Sequence, residues 1–197
     1  LSIFALVQFF LAREITGRPV VTLDSAEDVA EVKDVVFDHA NASLVGFTLN
    51  KRGFLGSPMR EVLPWSRVAA LGPDAVMVHG GSALGTGDGA MEDAAAHDRD
   101  VIGATVMTDA GAALGTVVDV VLEVGDDARV VGFEVDGPAV ERDRKAATLL
   151  IPVDDTLAVS GETLMAAAAA QEFVQDDLSG FGSAVTAFRA RLREGAE

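Results

Sequence analysis

The chain has no cysteine and no tyrosine, one tryptophan, three histidines and only 15 Lys and Arg against 31 Asp and Glu. Without cysteine there are no disulfides, no thiolate nucleophile and no Cys-based zinc or iron–sulfur site. The absence also favours a cytoplasmic setting. The net charge of −16 weighs against general nucleic-acid binding, whose affinity rests on cations neutralising phosphates. No long hydrophobic run exists either. The longest, LSIFALVQFFLA at residues 1–12, is short of the roughly 20 residues a membrane-spanning helix needs. It lacks the basic start and small-residue cleavage site of a signal peptide. It is expected to be a short helix packed on the body, with a membrane-surface or partner-binding helix as the alternative.

What is present is a core-forming composition, 49% hydrophobic, in 197 residues. Its charge is uneven. Arg13 to Arg67 carry seven basic and eight acidic residues, so −15 of the total lies beyond Arg67. Only the first half can offer a neutral or basic surface.

The segment VKDVVFD at Val32–Asp38 returns as VVDVVLE at Val117–Glu123. The correspondence extends to Gly17 with Gly103, Val45-Gly46-Phe47 with Val131-Gly132-Phe133, Pro64 with Pro152 and Met77 with Met165. The offset drifts from 85 to 88, as small loop insertions would make it. Period-2 alternation such as Val45, Phe47, Leu49 marks strands, and Asp/Gly/Asn clusters mark turns. Each unit, residues 13–79 and 99–168, is therefore expected to be a small barrel or sandwich. Residues 80–98 read as a glycine-rich acidic linker. The Gly85-Thr86-Gly87-Asp88-Gly89 stretch lacks the GK[ST] of a phosphate loop. In residues 169–197, Val174, Leu178, Phe181, Val185, Phe188 and Leu192 step at helical spacing. Gly180 and Gly182 interrupt that stripe, so the helix is expected from Ser183, as N-cap, to Gly195. Arg189, Arg191 and Arg193 complement its dipole. The stripe packs on the barrels, or forms a homodimer or partner contact.

REITGRPVVTLDSAEDVAEVKDVVFD with LVGFTLNKRG and LPWSRVAALGPDAVMV resembles a PRC-barrel domain, the family named from the cytoplasmic domain of the photosynthetic reaction-centre H subunit. IGATVMTDAGAALGTVVDVVLE with RVVGFEVDG and IPVDDTLAVSGETLMA resembles a second. The second departs from the first in having Val153 where the first has Trp65, and in lacking a basic counterpart to the NKRGFLGSPMREV hairpin. The resemblance implies a mainly β fold, two tandem small PRC-type barrels, here flanked by short N-terminal and C-terminal helices. It implies docking to other macromolecules and supplies no shared catalytic residues.

Chemistry-bearing residues are sparse. Asp34 and Asp119, in strands, share a face with Val32 and Val36 or with Val117 and Val121. Such a carboxylate either has a raised pKa or accepts backbone N–H bonds, and its recurrence favours a role in the fold. His39, His79 and His97 show no ligand spacing. The acidic pairs Asp126-Asp127 and Asp154-Asp155 lack a calcium loop, and no nucleophile motif is visible. No catalysis, metal or cofactor is expected. The candidate protein-binding surface is Lys51, Arg52 and Phe54 at a hairpin tip with Trp65 and Arg67, residue types common at binding hot spots. Alternatively, Phe54 and Trp65 plug their own barrel. The expectation is a non-enzymatic scaffold or regulatory module that binds another protein and no nucleic acid, with self-association through the terminal helices. A membrane-peripheral regulator and a small-ligand or metal binder between the barrels are the alternatives.

Overall fold

The computed structural model describes residues 7–38, 41–53, 56–86, 91, 101–137, 148–153, 158–160 and 162–195. The chain divides into two units, Ala12–Asp98 and Leu1–Leu11 with Arg99–Glu197.

The first unit opens with a single helical turn, α1 (Ala12–Ile15), followed by β2 (Pro19–Thr22), β3 (Asp28–Asp38), β4 (Ser43–Asn50), β5 (Pro58–Pro64), β6 (Val68–Leu71), β7 (Val76–Val78) and β8 (Gly85–Thr86). Neighbouring strands run β8, β5, β4, β3, β2, β7, β6. All pairs are antiparallel except β2 with β7. The inward side chains, among them Val20, Ala30, Val32, Phe47, Leu63, Val76 and Val78, are fully buried. Arg18 ties α1 to the β6–β7 turn: its Nε donates to the Glu14 carbonyl and Nη1 to the Gly72 carbonyl.

The second unit repeats this plan with β9 (Thr105–Thr108), β10 (Ala113–Val124), β11 (Ala128–Asp136), β12 (Leu149–Pro152), β13 (Ala158–Ser160) and β14 (Thr163–Ala166). The order is β12, β11, β10, β9, β14, β13, again with one parallel pair, β9 with β14. Equivalence reaches single hydrogen bonds. Gly17 N–H donates to Val32 O and Val32 N–H to Arg18 O; Gly103 N–H donates to Val117 O and Val117 N–H to Ala104 O. Both glycines take positive φ, 84° and 91°, where a side chain would strain the turn. The outer edges match too. Val62 of β5 pairs with Gly85, and its equivalent Leu150 of β12 bridges Gln175.

Three expectations change. Of the described residues 7–12, Gln8–Leu11 form a strand, β1, and only Ala12 begins the helical turn; residues 1–6 of the expected helix lie outside the described residues. β1 pairs antiparallel with Val121–Val124 of β10 in the second unit. An open edge and burial of Phe10 and Leu11 outweigh the helical propensity of so short a run. The glycine-rich segment is also ordered at its start: Gly81–Ala83 make a 3-10 turn before β8. Met91 is buried, its Cε 3.0 Å from where a Cβ on Gly46 would sit. The remaining linker residues, 87–90 and 92–98, lie outside the described residues.

Third, the C-terminal helix, α2, runs Leu178–Gly195 and includes both glycines that were expected to interrupt it. Gly182 is required there because the Phe9 ring comes within 2.7 Å of its missing Cβ. Asp177, rather than Ser183, caps the helix, accepting the Ser179 N–H at 2.7 Å. Phe181 sits on Gly132, at the place equivalent to Met91 on Gly46. It joins Leu11, Val121, Val131, Leu150 and Val185 in a cluster completed by Phe9 and Leu178.

Leu11→Ala removes a side chain from this cluster and should cost about 2–5 kcal/mol. Amide exchange is expected to accelerate in β10, β11 and α2, with β3 and β4 much less affected; uniform acceleration would contradict the assignment of β1. The bonds from Ser179 and Gly180 hold the Asp177 carboxyl below its usual range. A depressed folded-state pKa stabilises above the unfolded value, 3.8, and the effect is lost as pH falls through the folded value. Protection of the Ser179 and Gly180 amides, relative to their intrinsic exchange at each pH, should therefore fall in that acidic window, and Asp177→Ala should remove that change.

Candidate docking face

The residues first suspected of docking separate into two places. Lys51 is exposed at the end of β4, beside Arg52. Arg52 is engaged within its own barrel, pairing Asp28 at 2.6 Å and Glu31 at 2.9 Å. Phe54 lies outside the described residues. Trp65 and Arg67 follow β5, so the seven residues of that strand, at about 3.3 Å each, hold them roughly 20 Å from the hairpin tip. Trp65 meets Phe47 edge-on, ring centroids 6.5 Å apart. The Arg67 guanidinium donates to the Ala83 carbonyl at 3.3 Å and covers Gly85. Trp65 and Arg67, themselves the ends of a 3-10 turn, thus hold that turn and the Gly81–Ala83 turn to their own barrel.

The helical stripe also packs at home. Phe181, Val185 and Phe188 are buried, Val174, Leu178 and Leu192 half-buried, and Phe188 stacks at a tilt on Phe173 with centroids 5.8 Å apart. Arg189 reaches Glu123 of β10 at 3.0 Å.

Asp34 and Asp119 differ although their backbones are equivalent. In both strands an extra residue, Lys33 or Val118, interrupts the register just before the aspartate. This β-bulge shifts the phase, so Val32 and Val35, or Val117 and Val120, point inward; Asp34 is turned to solvent, whereas Asp119 is covered. Asp34 does not sit among apolar neighbours: its side chain is 56% exposed, 3.0 Å from Lys33 Nζ, and accepts the Thr48 hydroxyl at 3.0 Å. Asp119 is buried, 4% exposed, and accepts the Val120 N–H at 2.8 Å. Its cross-strand neighbour is Glu134, 6% exposed, which accepts the Thr148 hydroxyl at 2.6 Å.

The same bulges expose a contrast between the barrels that matching identical residues had hidden. On the first barrel, Pro19 faces Glu31 and Val21 faces Asp28 and Met77 in register. Lys33 and Asp34 project from the bulge, so the face carries four charges, Asp28, Glu31, Lys33 and Asp34, in addition to Arg52. On the second, Thr105 faces Thr116 and Thr163, and Met107 faces Ala113 and Met165. Lys33, Glu31 and Asp28 are replaced by Val118, Thr116 and Ala113. Val118 is 41% and Met165 37% exposed. Ile102, beside the Gly103 that bonds Val117, is 50% exposed. The outward face of β14, β9 and the start of β10 is thus uncharged, in the half of the chain that carries −15. Its described borders are acidic: Asp136 opposite Thr116, Glu162 next to Thr163, and Asp109 at the other end of β9. A position-by-position comparison of charge between the repeats would have revealed this face from sequence.

Among the described residues, no three His, Asp or Glu side chains gather as a metal site, and no helix is long and apolar enough to cross a membrane. The duplicated strand order, the paired bulges and the covered V-G-F glycines define a tandem small-β-barrel protein. The PRC-barrel domain family matches it twice, at residues 8–84 and 95–167, and the chain belongs to that family. No curated protein matches the chain.

Asp119→Ala strips the acceptor from a buried N–H and should destabilise the protein by about 1–3 kcal/mol. Asp34→Ala, which loses only solvent-exposed partners, should cost less than about 1 kcal/mol. Chemical denaturation of the two variants measures the difference directly. Equal losses would mean that the aspartates serve the two barrels alike.

Proposed function

We propose that the chain is a non-catalytic protein-docking module whose contact surface is the uncharged outward face of the second barrel. The observation that carries this reading is the replacement of Asp28, Glu31 and Lys33 by Ala113, Thr116 and Val118 at matched positions of two otherwise similar barrels. Interface cores are depleted in charge and enriched in methionine, whose flexible thioether adapts to a partner's shape. The first barrel keeps its outward charges paired internally, through Arg52 with Asp28 and Glu31, and acts as the supporting half. The absence of cysteine accords with a cytoplasmic setting, and the net charge with a protein rather than a nucleic-acid partner.

The full chain, immobilised and exposed to extract of its source cells, should retain a set of proteins that the Val118→Lys variant loses. Arg52→Ala, on the first barrel, should retain them. Retention of the same set by Val118→Lys would sink the proposal.

A further inference from the structure

Resting on that reading, we infer that the occupant of the second barrel's outward face is a cationic amphipathic segment, with apolar residues seated on Met107, Met165 and Val118 and Lys or Arg residues at the borders. Two features of the face select this chemistry.

The centre offers no charge and little hydrogen-bonding capacity beyond the hydroxyls of Thr105, Thr116 and Thr163. An apolar strip is what such a surface can cover without stranding a polar group. Around it, Asp109, Asp136 and Glu162 are all exposed, and no Lys or Arg stands among the described residues of β9, β14 and the N-terminal half of β10. The charges therefore ask for cations in the partner's flanks.

The same pattern disfavours a second copy of this face. Two copies related by a two-fold axis would bring acidic borders against acidic borders, with no described cation to relieve them. A partner of opposite sign meets no such opposition, and the negative field of this half of the chain would speed its approach.

The test uses the full chain and three synthetic probes: a leucine–lysine amphipathic peptide, its leucine–glutamate counterpart, and a lysine–serine peptide of the same positive charge. The leucine–lysine peptide should bind and protect β9, β14 and the start of β10 from amide exchange. Val118→Lys and Met165→Lys should each weaken it at least about tenfold, whereas Asp136→Asn with Glu162→Gln should weaken it several-fold and flatten its salt dependence. The lysine–serine peptide should bind at least about tenfold more weakly and leave no protected face. Val118→Lys installs the residue that the first barrel already carries at Lys33, so the fold should survive, as a thermal melt checks.

Protection elsewhere, or affinity unchanged in both lysine variants, overturns the inference. Preferential binding of the leucine–glutamate peptide at this face, or self-association abolished by Val118→Lys in light scattering, overturns the choice of occupant while leaving the docking reading standing. If no probe protects the face and Val118→Lys still retains the same cellular proteins, both fall.

Discussion

One inserted residue in each barrel, Lys33 in β3 and Val118 in β10, decides which side chains the protein shows to its surroundings. A regular strand would place Val32, Asp34 and Val36 on one face. The bulge breaks that alternation, returns Val35 and Val120 to the interior and, in the first barrel, turns Asp34 to solvent. It also projects the inserted side chain itself. The bonds exchanged by Val32 with Gly17 and Arg18, and by Val117 with Gly103 and Ala104, lie immediately before the bulge and fix its position. The exposure of Asp34 and the projection of Lys33 and Val118 follow from that point, while a second bulge, at Val29 and Leu114, sets the facing of Asp28 and Ala113.

A second constraint binds the terminal segments to the second barrel. Gly132 has no side chain, so Phe181 seats against the sheet; Gly182 has none, so Phe9 seats against the helix. Each aromatic ring occupies space that a glycine vacates, and the two rings meet edge-on at 6.4 Å. The first barrel uses the same device more sparingly, with Met91 over Gly46. An Ala at Gly132 would push against both the Phe181 ring and the Ile151 carbonyl, and the carbonyl cannot rotate away. This close packing explains why glycines in α2 mark contact rather than an end.

The tandem barrels were legible because duplication and period-2 alternation are properties of the sequence order itself. Val45-Gly46-Phe47 and Val131-Gly132-Phe133 announce both strand and repeat. The bulge was not legible, since VKDVV and VVDVV read as continuous alternation until the cross-strand register is known. Nor was β1: QFFL becomes a strand only because β10 presents an edge to it. The Lys51–Trp65 grouping failed for a geometric reason, since residues near in sequence lie at opposite ends of β5. The stripe from Val174 to Leu192 was read correctly in period, and its partner proved to be the protein's own sheet.

The difference between the two outward faces matters because of the asymmetry between apolar gain and ionic loss. Completing the burial of a half-exposed valine or methionine gains about 1 kcal/mol, roughly half of what full burial of such a side chain gives. Covering one carboxylate without a counter-charge costs several kcal/mol, enough to cancel a few such contacts. A partner laid on the first barrel would have to compensate Asp28, Glu31, Arg52, Lys33 and Asp34 together, and breaking the Arg52 pairs would leave their members stranded. On the second barrel Ala113, Thr116 and Val118 stand in place of Asp28, Glu31 and Lys33, and Asp119 is already buried, so at these described positions the penalty vanishes while the methionine row remains. The second face can be dehydrated and the first cannot, although the two backbones follow one plan.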